Sequence, residues 1–220
     1  MTQKTGLADI AYDRIKSMIL RNSLKAGQFV NESQLQEMLG LGRTPVREAV
    51  LRLAGDDLVR IHPYKGIEIS TISPKTIHDI FQLRLIMEPS ILQSSYEQLD
   101  KQILLSFRKK FADYDKPQSS PDITRALEIA QLDNDFHCYL VDAMENRYAS
   151  QMMDIFVDKL TIIRSAVSNS SRSRLSVSTQ EHLQIIDAIT QGKIDIACAK
   201  LKAHIQTSYE EAMKILVHLY

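Results

Sequence analysis

Apolar residues in the first third of the chain fall first at helical and then at strand spacing. Leu7, Ile10, Ala11, Ile15, Met18 and Ile19 recur every three or four positions and predict a helix ending near Arg21. A turn follows at Ala26-Gly27, after which Asn31 or Ser33 is placed to cap a second helix with Leu35, Met38 and Leu39 on its inner face. Gly40 and Gly42 punctuate the next turn. Thr44 suits an N-cap and Pro45 a first helical position, where the missing N–H was unpaired anyway, so a third helix is expected from Pro45. "LVRIHPYKGIEIS" sets β-branched residues on both sides of Pro-Tyr-Lys-Gly, which reads as a β-hairpin. Helix, helix, turn, helix, hairpin is the order of a winged helix-turn-helix.

After "STISP" the texture changes. From Lys75 to Tyr220 there is one glycine, Gly192, and apolar residues keep to periods of three and four. This predicts an all-α bundle of about six or seven helices. Breaks are expected at 115–121 ("DKPQSSP"), near Glu145-Asn146, in the serine-rich stretch 168–178, and at Gly192. The expected fold is therefore mainly α, with a winged helix-turn-helix over residues 1–72 and a helical body over 73–220.

Composition changes this picture little. The chain of 220 residues is 44% hydrophobic and 25% charged, as in a soluble globular protein. Its 27 basic and 27 acidic residues balance. The head holds 10 basic against 8 acidic residues and the body 17 against 19, too small an asymmetry to argue for a polyanion partner alone. Cys138 and Cys198 stand far apart without a CxxC spacing, which favours a reducing compartment. "MTQKTGLADIAYDRIK" lacks the apolar core of a signal peptide, and no run approaches the roughly 20 apolar residues of a membrane span. A cytoplasmic protein with no membrane partner is expected.

The third helix carries the first candidate chemistry. On a helical wheel Val46, Ala49, Val50 and Leu53 share one face, and Arg47, Glu48, Leu51 and Arg52 lie opposite. Helix N-termini favour anions, yet this one is flanked by Arg43 and Arg47. An anion from outside the chain would resolve that conflict. Arginine can pair with guanine or grip phosphate, so this face suits a DNA-reading helix, with Lys65 and Gly66 at the hairpin tip as a wing. Ordinary solvated arginines on a small helical domain are the alternative.

"NESQLQEMLGLGRTPVREAVLRLAGDDLVRIHPYKGIEIS" resembles the DNA-binding head of GntR-family bacterial transcription regulators, and the likeness covers nearly all of residues 7 to 72. It implies DNA contacts by Arg43, Thr44, Arg47, Arg52, Lys65 and Gly66. Three positions depart from the family pattern: Ala26-Gly27 where Pro-Gly is common, Gly42 where serine is usual, and Asp57 where glycine is preferred. Gly42 removes a possible hydroxyl contact to phosphate.

The body carries a second constellation. Asp133 and His137, four apart, share a helix face; His182 opens a later helix, and His204 sits in the last. Inward-pointing imidazoles and a carboxylate can hold a divalent metal in a helical bundle. Equally, His137 reads as a core histidine paired to Asp133, and His182 and His204 as surface or capping residues. His62, His78 and His218 have no partner at ligand spacing and receive no role.

The same residues resemble the FCD-type ligand-binding domain of the FadR-like branch of that family, over about residues 74 to 218. The resemblance implies Asp133, His137, His182 and His204 as ligands of a divalent metal, with zinc or nickel ahead of manganese or iron, and Asn146 matches an asparagine of the pattern. "FQLRLIMEPS" resembles the first helix of such domains, so Arg84 is expected to meet an effector, and Arg164 is a weaker candidate. A cation beside Arg84 suits a carboxylate. These features imply a transcription regulator, a repressor in most such families, that binds a palindromic double-stranded operator as a homodimer under control of a small organic acid. A sensor of the metal alone, and a metal-dependent hydrolase with a DNA-binding head, are the alternatives.

Overall fold

The computed structural model describes residues 6–114, 123–170 and 172–219. The chain forms two compact units, Met1–Ile72 and Ser73–Tyr220.

In the head, α1 (Leu7–Leu20), α2 (Glu32–Leu39) and α3 (Arg43–Gly55) enclose a core of Ala11, Ile15, Ile19, Leu35, Leu39, Val46, Ala49, Val50 and Leu53. Asn31 starts α2 with a reciprocal cap: its side chain accepts from Gln34 N–H at 2.8 Å, and its own N–H donates to the Gln34 side chain at 2.9 Å. Gly40, at φ 65°, ends the helix in the left-handed conformation that glycine adopts without a Cβ clash. Met38, expected on the inner face of α2, is instead 53% exposed.

The start of α3 lies two residues ahead of its expected place. Gly42, not Thr44, is the N-cap, and Thr44 and Pro45 occupy the second and third helical positions. Pro45 still costs no hydrogen bond, because the first four N–H groups of a helix have no intrahelical partner. Gly42 has no side chain with which to cap them.

The expected hairpin is present as β2 (Val59–His62) and β3 (Gly66–Ile69), paired antiparallel with Val59 opposite Ile69 and His62 opposite Gly66. A strand that the sequence pattern does not announce, β1 (Phe29–Val30), adds to the other edge of β3, giving the order β1-β3-β2. Two residues are too few for strand periodicity to register.

Among the described residues the body comprises six α-helices: α4 (Pro74–Ser95), α5 (Lys101–Tyr114), α6 (Ile123–Asp142), α7 (Arg147–Ser170), α8 (Arg172–Thr190) and α9 (Ile194–Leu219). Ser73 caps α4 by accepting from Thr76 N–H at 3.0 Å, with Pro74 at the first helical position. Helix α4 packs on α9, α6 on α7, α5 on α8 and α8 on α9. Phe81, Leu92, Phe111, Phe136, Ile185, Ile186, Leu201 and Ile205 fill the space between them.

The breaks at Glu145-Asn146 and Gly192 fall between helices, with left-handed Glu145 (φ 53°) and Gly192 (φ 71°). The break at 115–121 lies outside the described residues. The break expected in the serine-rich stretch falls within it, but without a long loop: α7 runs to Ser170 and α8 begins at Arg172. Serine disfavours a helix by only about 0.5 kcal/mol relative to alanine, which the long flanking helical segments outweigh.

Candidate nucleic-acid interface and metal centre

The helical wheel of α3 holds in three dimensions. Val46, Ala49, Val50 and Leu53 are all buried, and Arg43, Thr44, Arg47, Glu48, Leu51 and Arg52 are exposed. With no capping side chain, the first-turn amides add their partial positive charge to Arg43 and Arg47. The Arg43 guanidinium lies 3.6 Å from Glu32 and remains 74% exposed. Arg52 is differently placed. It donates to Asp9 at 2.7 Å, and its guanidinium lies over the Tyr12 ring, 4.4 Å from the centroid, so it ties α3 to α1.

At the wing, Lys65 and Tyr64 are exposed in the turn, and Tyr64 has φ 64°. Gly66 meets a constraint that the sequence does not reveal. At φ 103°, its Cβ position would lie 2.7 Å from the Val30 carbonyl oxygen, so the close approach it permits is to β1. His62, without an expected partner, bonds Glu68 across the hairpin at 2.6 Å.

In the body the four implied ligands converge. One donor atom from each of Asp133, His137, His182 and His204 lies within 4.8 Å of the others, and all four residues are buried. Asp133 and His137 come from α6, His182 from α8 and His204 from α9. His137 Nε2 is 3.4 Å from His204 Nε2 and 3.5 Å from Asp133 Oδ1; His182 Nε2 is 3.4 Å from Asp133 Oδ2.

The outward-facing nitrogens explain this orientation. His137 Nδ1 bonds Glu88 of α4 at 2.5 Å, His182 Nδ1 donates to the Ser178 carbonyl at 2.7 Å, and His204 Nδ1 bonds Glu181 of α8 at 2.7 Å. Acceptors at Nδ1 hold the proton there and leave the Nε2 lone pairs facing one another, which is how metal-ligating histidines are usually held. His182 Nε2 is buried with no hydrogen-bond partner among the described residues. Gathered lone pairs beside a carboxylate form a donor set that suits a divalent cation of the first transition row.

Electrostatics keep these donors ready. Burial pushes the His137 imidazole down to about 4, with the Arg84 charge adding to the fall and Glu88 opposing it. Burial, followed by the neighbouring His204, lowers His182 well below the ordinary range. Burial would raise the Glu88 carboxyl, but Arg84 and His137 outweigh it and hold the group at about 2. At neutral pH His137 and His182 are thus neutral and Glu88 is ionised.

Both shifts carry the same sign for stability. Between pH 6.5 and about 4 the unfolded chain takes up a proton that folded His137 refuses, and between pH 4.5 and about 2 the same holds for Glu88. Metal-free protein is therefore expected to lose stability progressively as pH falls below 6.5. Urea unfolding at pH 7.5, 6 and 5 checks this; a midpoint unchanged down to pH 5 would contradict the buried neutral imidazole.

Arg84 lies beside this group with its side chain 1% exposed. Its Nε donates to Glu88 Oε1 at 2.5 Å, and neither terminal guanidinium nitrogen has a hydrogen-bond partner among the described residues. Arg84 and Glu88 thus form a buried salt bridge. The side chains of Arg164 and His218 lie outside the described residues. Asn146 caps α7 through Tyr148 N–H at 3.0 Å, and His78 bonds the Tyr209 hydroxyl at 3.1 Å. Glu88 and Glu181 escaped the sequence reading. Their one signal was position: Glu88 is four residues after Arg84 on the same helix face, and Glu181 directly precedes His182.

Comparison with known proteins accounts for both halves. Residues 7–69 match the model of bacterial regulatory proteins of the gntR family, and residues 79–207 match the FCD domain. The chain belongs to the GntR family of transcription regulators, with an FCD domain as its body. It is similar to the HTH-type transcriptional regulator YdhC of Bacillus subtilis, at 25% identity over 93% of this chain and 90% of that one. The Nta operon transcriptional regulator of Aminobacter aminovorans is 26% identical over 90% and 91%. The HTH-type transcriptional repressor NanR of Escherichia coli K12 is 26% identical over 91% and 82%. Among solved structures, E. coli McbR/YncC shares the fold with a TM-score of 0.72, at 16% identity over 93% and 95% of the two chains. The Zn2+-bound FCD domain of TM0439 aligns with 67% of this chain and 98% of that one, with a TM-score of 0.53 and 22% identity. The families and relatives that it matches are transcription regulators. No described helix is long and apolar enough to cross a membrane.

Proposed function

We propose that this protein is a homodimeric repressor of a palindromic operator, released or recruited by a small carboxylate bound beside a divalent metal. The observation that carries the reading is the buried meeting of three Nε2 atoms and the Asp133 carboxylate, close to an arginine whose two terminal nitrogens have no hydrogen-bond partner among the described residues. Asp133, His137, His182 and His204 would hold the ion, with zinc or nickel favoured by the three imidazoles and manganese or iron admitted by the carboxylate. The ion would supply a positive anchor for one oxygen of the effector. Arg84 is suited to forking onto another carboxylate through its terminal nitrogens. Burial strengthens both attractions, because little water competes for the charges.

In the head, the N-terminal turn of α3 with Arg43, Thr44 and Arg47 would enter the major groove, and Lys65 would meet backbone phosphate from the wing. Arg52 and Gly66 would serve the interface from behind, Arg52 by bracing α3 on α1 and Gly66 by seating the wing on β1. A two-fold operator follows from two identical heads carried by paired bodies. The effector controls binding only if its affinity differs between the DNA-competent and released arrangements.

The test is to measure operator affinity by fluorescence anisotropy, with DNA from upstream of the protein's own gene, while titrating Zn2+ or Ni2+ and a panel of small carboxylic acids. A change in affinity that requires both a metal and a carboxylate supports the reading. Affinity that follows the metal and ignores every acid would make the ion itself the signal.

A further inference from the structure

We infer that Glu88 couples the anion anchor to the metal centre, so that metal and carboxylate strengthen each other's binding through one shared side chain. This rests on the metal-and-carboxylate reading above and adds the route by which the two ligands sense each other. Glu88 is fully buried, and its two oxygens take different partners: Oε1 accepts from Arg84 Nε, and Oε2 accepts from His137 Nδ1. His182 leans on a backbone carbonyl, and His204 on Glu181, whose side chain is 25% exposed.

The physical consequence concerns one carboxylate divided between two donors. When an anion engages the terminal nitrogens of Arg84, it draws on the guanidinium charge that Glu88 otherwise shares. The Glu88 carboxylate then pulls harder on His137 Nδ1–H and makes Nε2 a better donor to a cation. Linkage requires the reverse as well: a cation on Nε2 polarises the imidazole toward Glu88 and loosens the hold of Glu88 on Arg84, freeing it for an anion. A partner hydrogen-bonded to the far nitrogen of a ligating histidine typically sets metal affinity by about 10–100-fold, so the lever is large enough to matter.

The experiment measures Zn2+ affinity of the full chain, by competition with a chromophoric chelator, with and without acetate as the probe anion. In the natural protein acetate is expected to tighten Zn2+ binding by about 5-fold or more, within the usual range for coupled sites. Glu88→Gln keeps the shape and removes the charge. It is expected to weaken Zn2+ binding by about 10–100-fold and to bring the acetate effect close to 1. Glu181→Gln is expected to weaken Zn2+ binding while leaving the acetate effect intact, a contrast that a merely structural Glu88 would not produce. If Glu88→Gln does not fold by circular dichroism, Glu88→Asp, which keeps the charge but shortens the reach, is expected to lower both quantities partway. A folded Glu88 variant with the full acetate effect overturns the inference, since the anion would then couple by touching the ion itself. So does a natural protein that binds Zn2+ indifferently to acetate. Failure of the natural protein to bind any metal overturns the underlying function instead.

Discussion

Replacing His182 and His204 together by alanine is expected to abolish metal retention. The two imidazoles come from α8 and α9 and supply half of the four gathered donors, so their loss leaves Asp133 and His137 on a single face of α6. Protein zinc sites with a full set of donors bind with an apparent free energy of about 10–16 kcal/mol. Losing two of four donors should remove about 5 kcal/mol or more, which is about a 10³-fold to 10⁴-fold drop in affinity. Elemental analysis after dialysis checks this directly. The natural chain should retain about one ion and the double variant none; an undiminished content in the variant would refute the assigned ligands. The His182 ring is stacked 4.4 Å from Phe111 and lies 4.3 Å from the His204 ring, so alanine also opens space in the core. Circular dichroism and melting of the metal-free forms separate that cost from lost coordination.

Arg47→Ala is expected to weaken operator binding by about 10-fold to 100-fold, the range of a bidentate arginine–guanine contact. Its fold should survive. Arg47 lies on the exposed face of α3, whereas stability of the head rests on Val46, Ala49, Val50 and Leu53 on the other. Thermal melting should therefore be unchanged while anisotropy titrations shift. A loss that appears equally on unrelated DNA, with a shallower salt dependence, would place Arg47 on phosphate and not on a base. Unchanged affinity would remove it from the interface. Arg52→Ala provides a contrast. Because Arg52 is engaged by Asp9 and Tyr12, its loss should act through the seating of α3 on α1.

Much of the head was legible because its information is local. The α3 wheel, the Asn31 cap, the left-handed Gly40 and the hairpin are each decided within a few residues, where side-chain chemistry and backbone preference act directly. Local signals failed where they were short or weak. Strand β1 has two residues, and the serines at 168–178 mark the break between α7 and α8 but suggest a longer loop than forms there. The displaced start of α3 belongs to the same class, since Thr44 and Gly42 both make acceptable N-caps and their propensities differ little.

The candidate site divides differently. Asp133 and His137 could be placed on one face from a spacing of four, His182 and His204 were candidates on later helices, and resemblance to a family pattern joined the four as one ligand set. Neither source contains the nitrogen that each ring presents, the burial of Arg84, or the presence of Glu88.

What the sequence alone determined here is periodic: which residues are helical, which face of each helix is apolar, and where the chain divides. What only the tertiary structure decided is the meeting of groups far apart in the chain, such as His137 with Glu88 at a separation of 49 residues and with His204 at 67. Periodicity is carried by neighbouring residues and survives without contacts. Convergence depends on how α4, α6, α8 and α9 pack around Phe111 and Phe136, and that packing is set by the summed shape of many side chains and by no single motif.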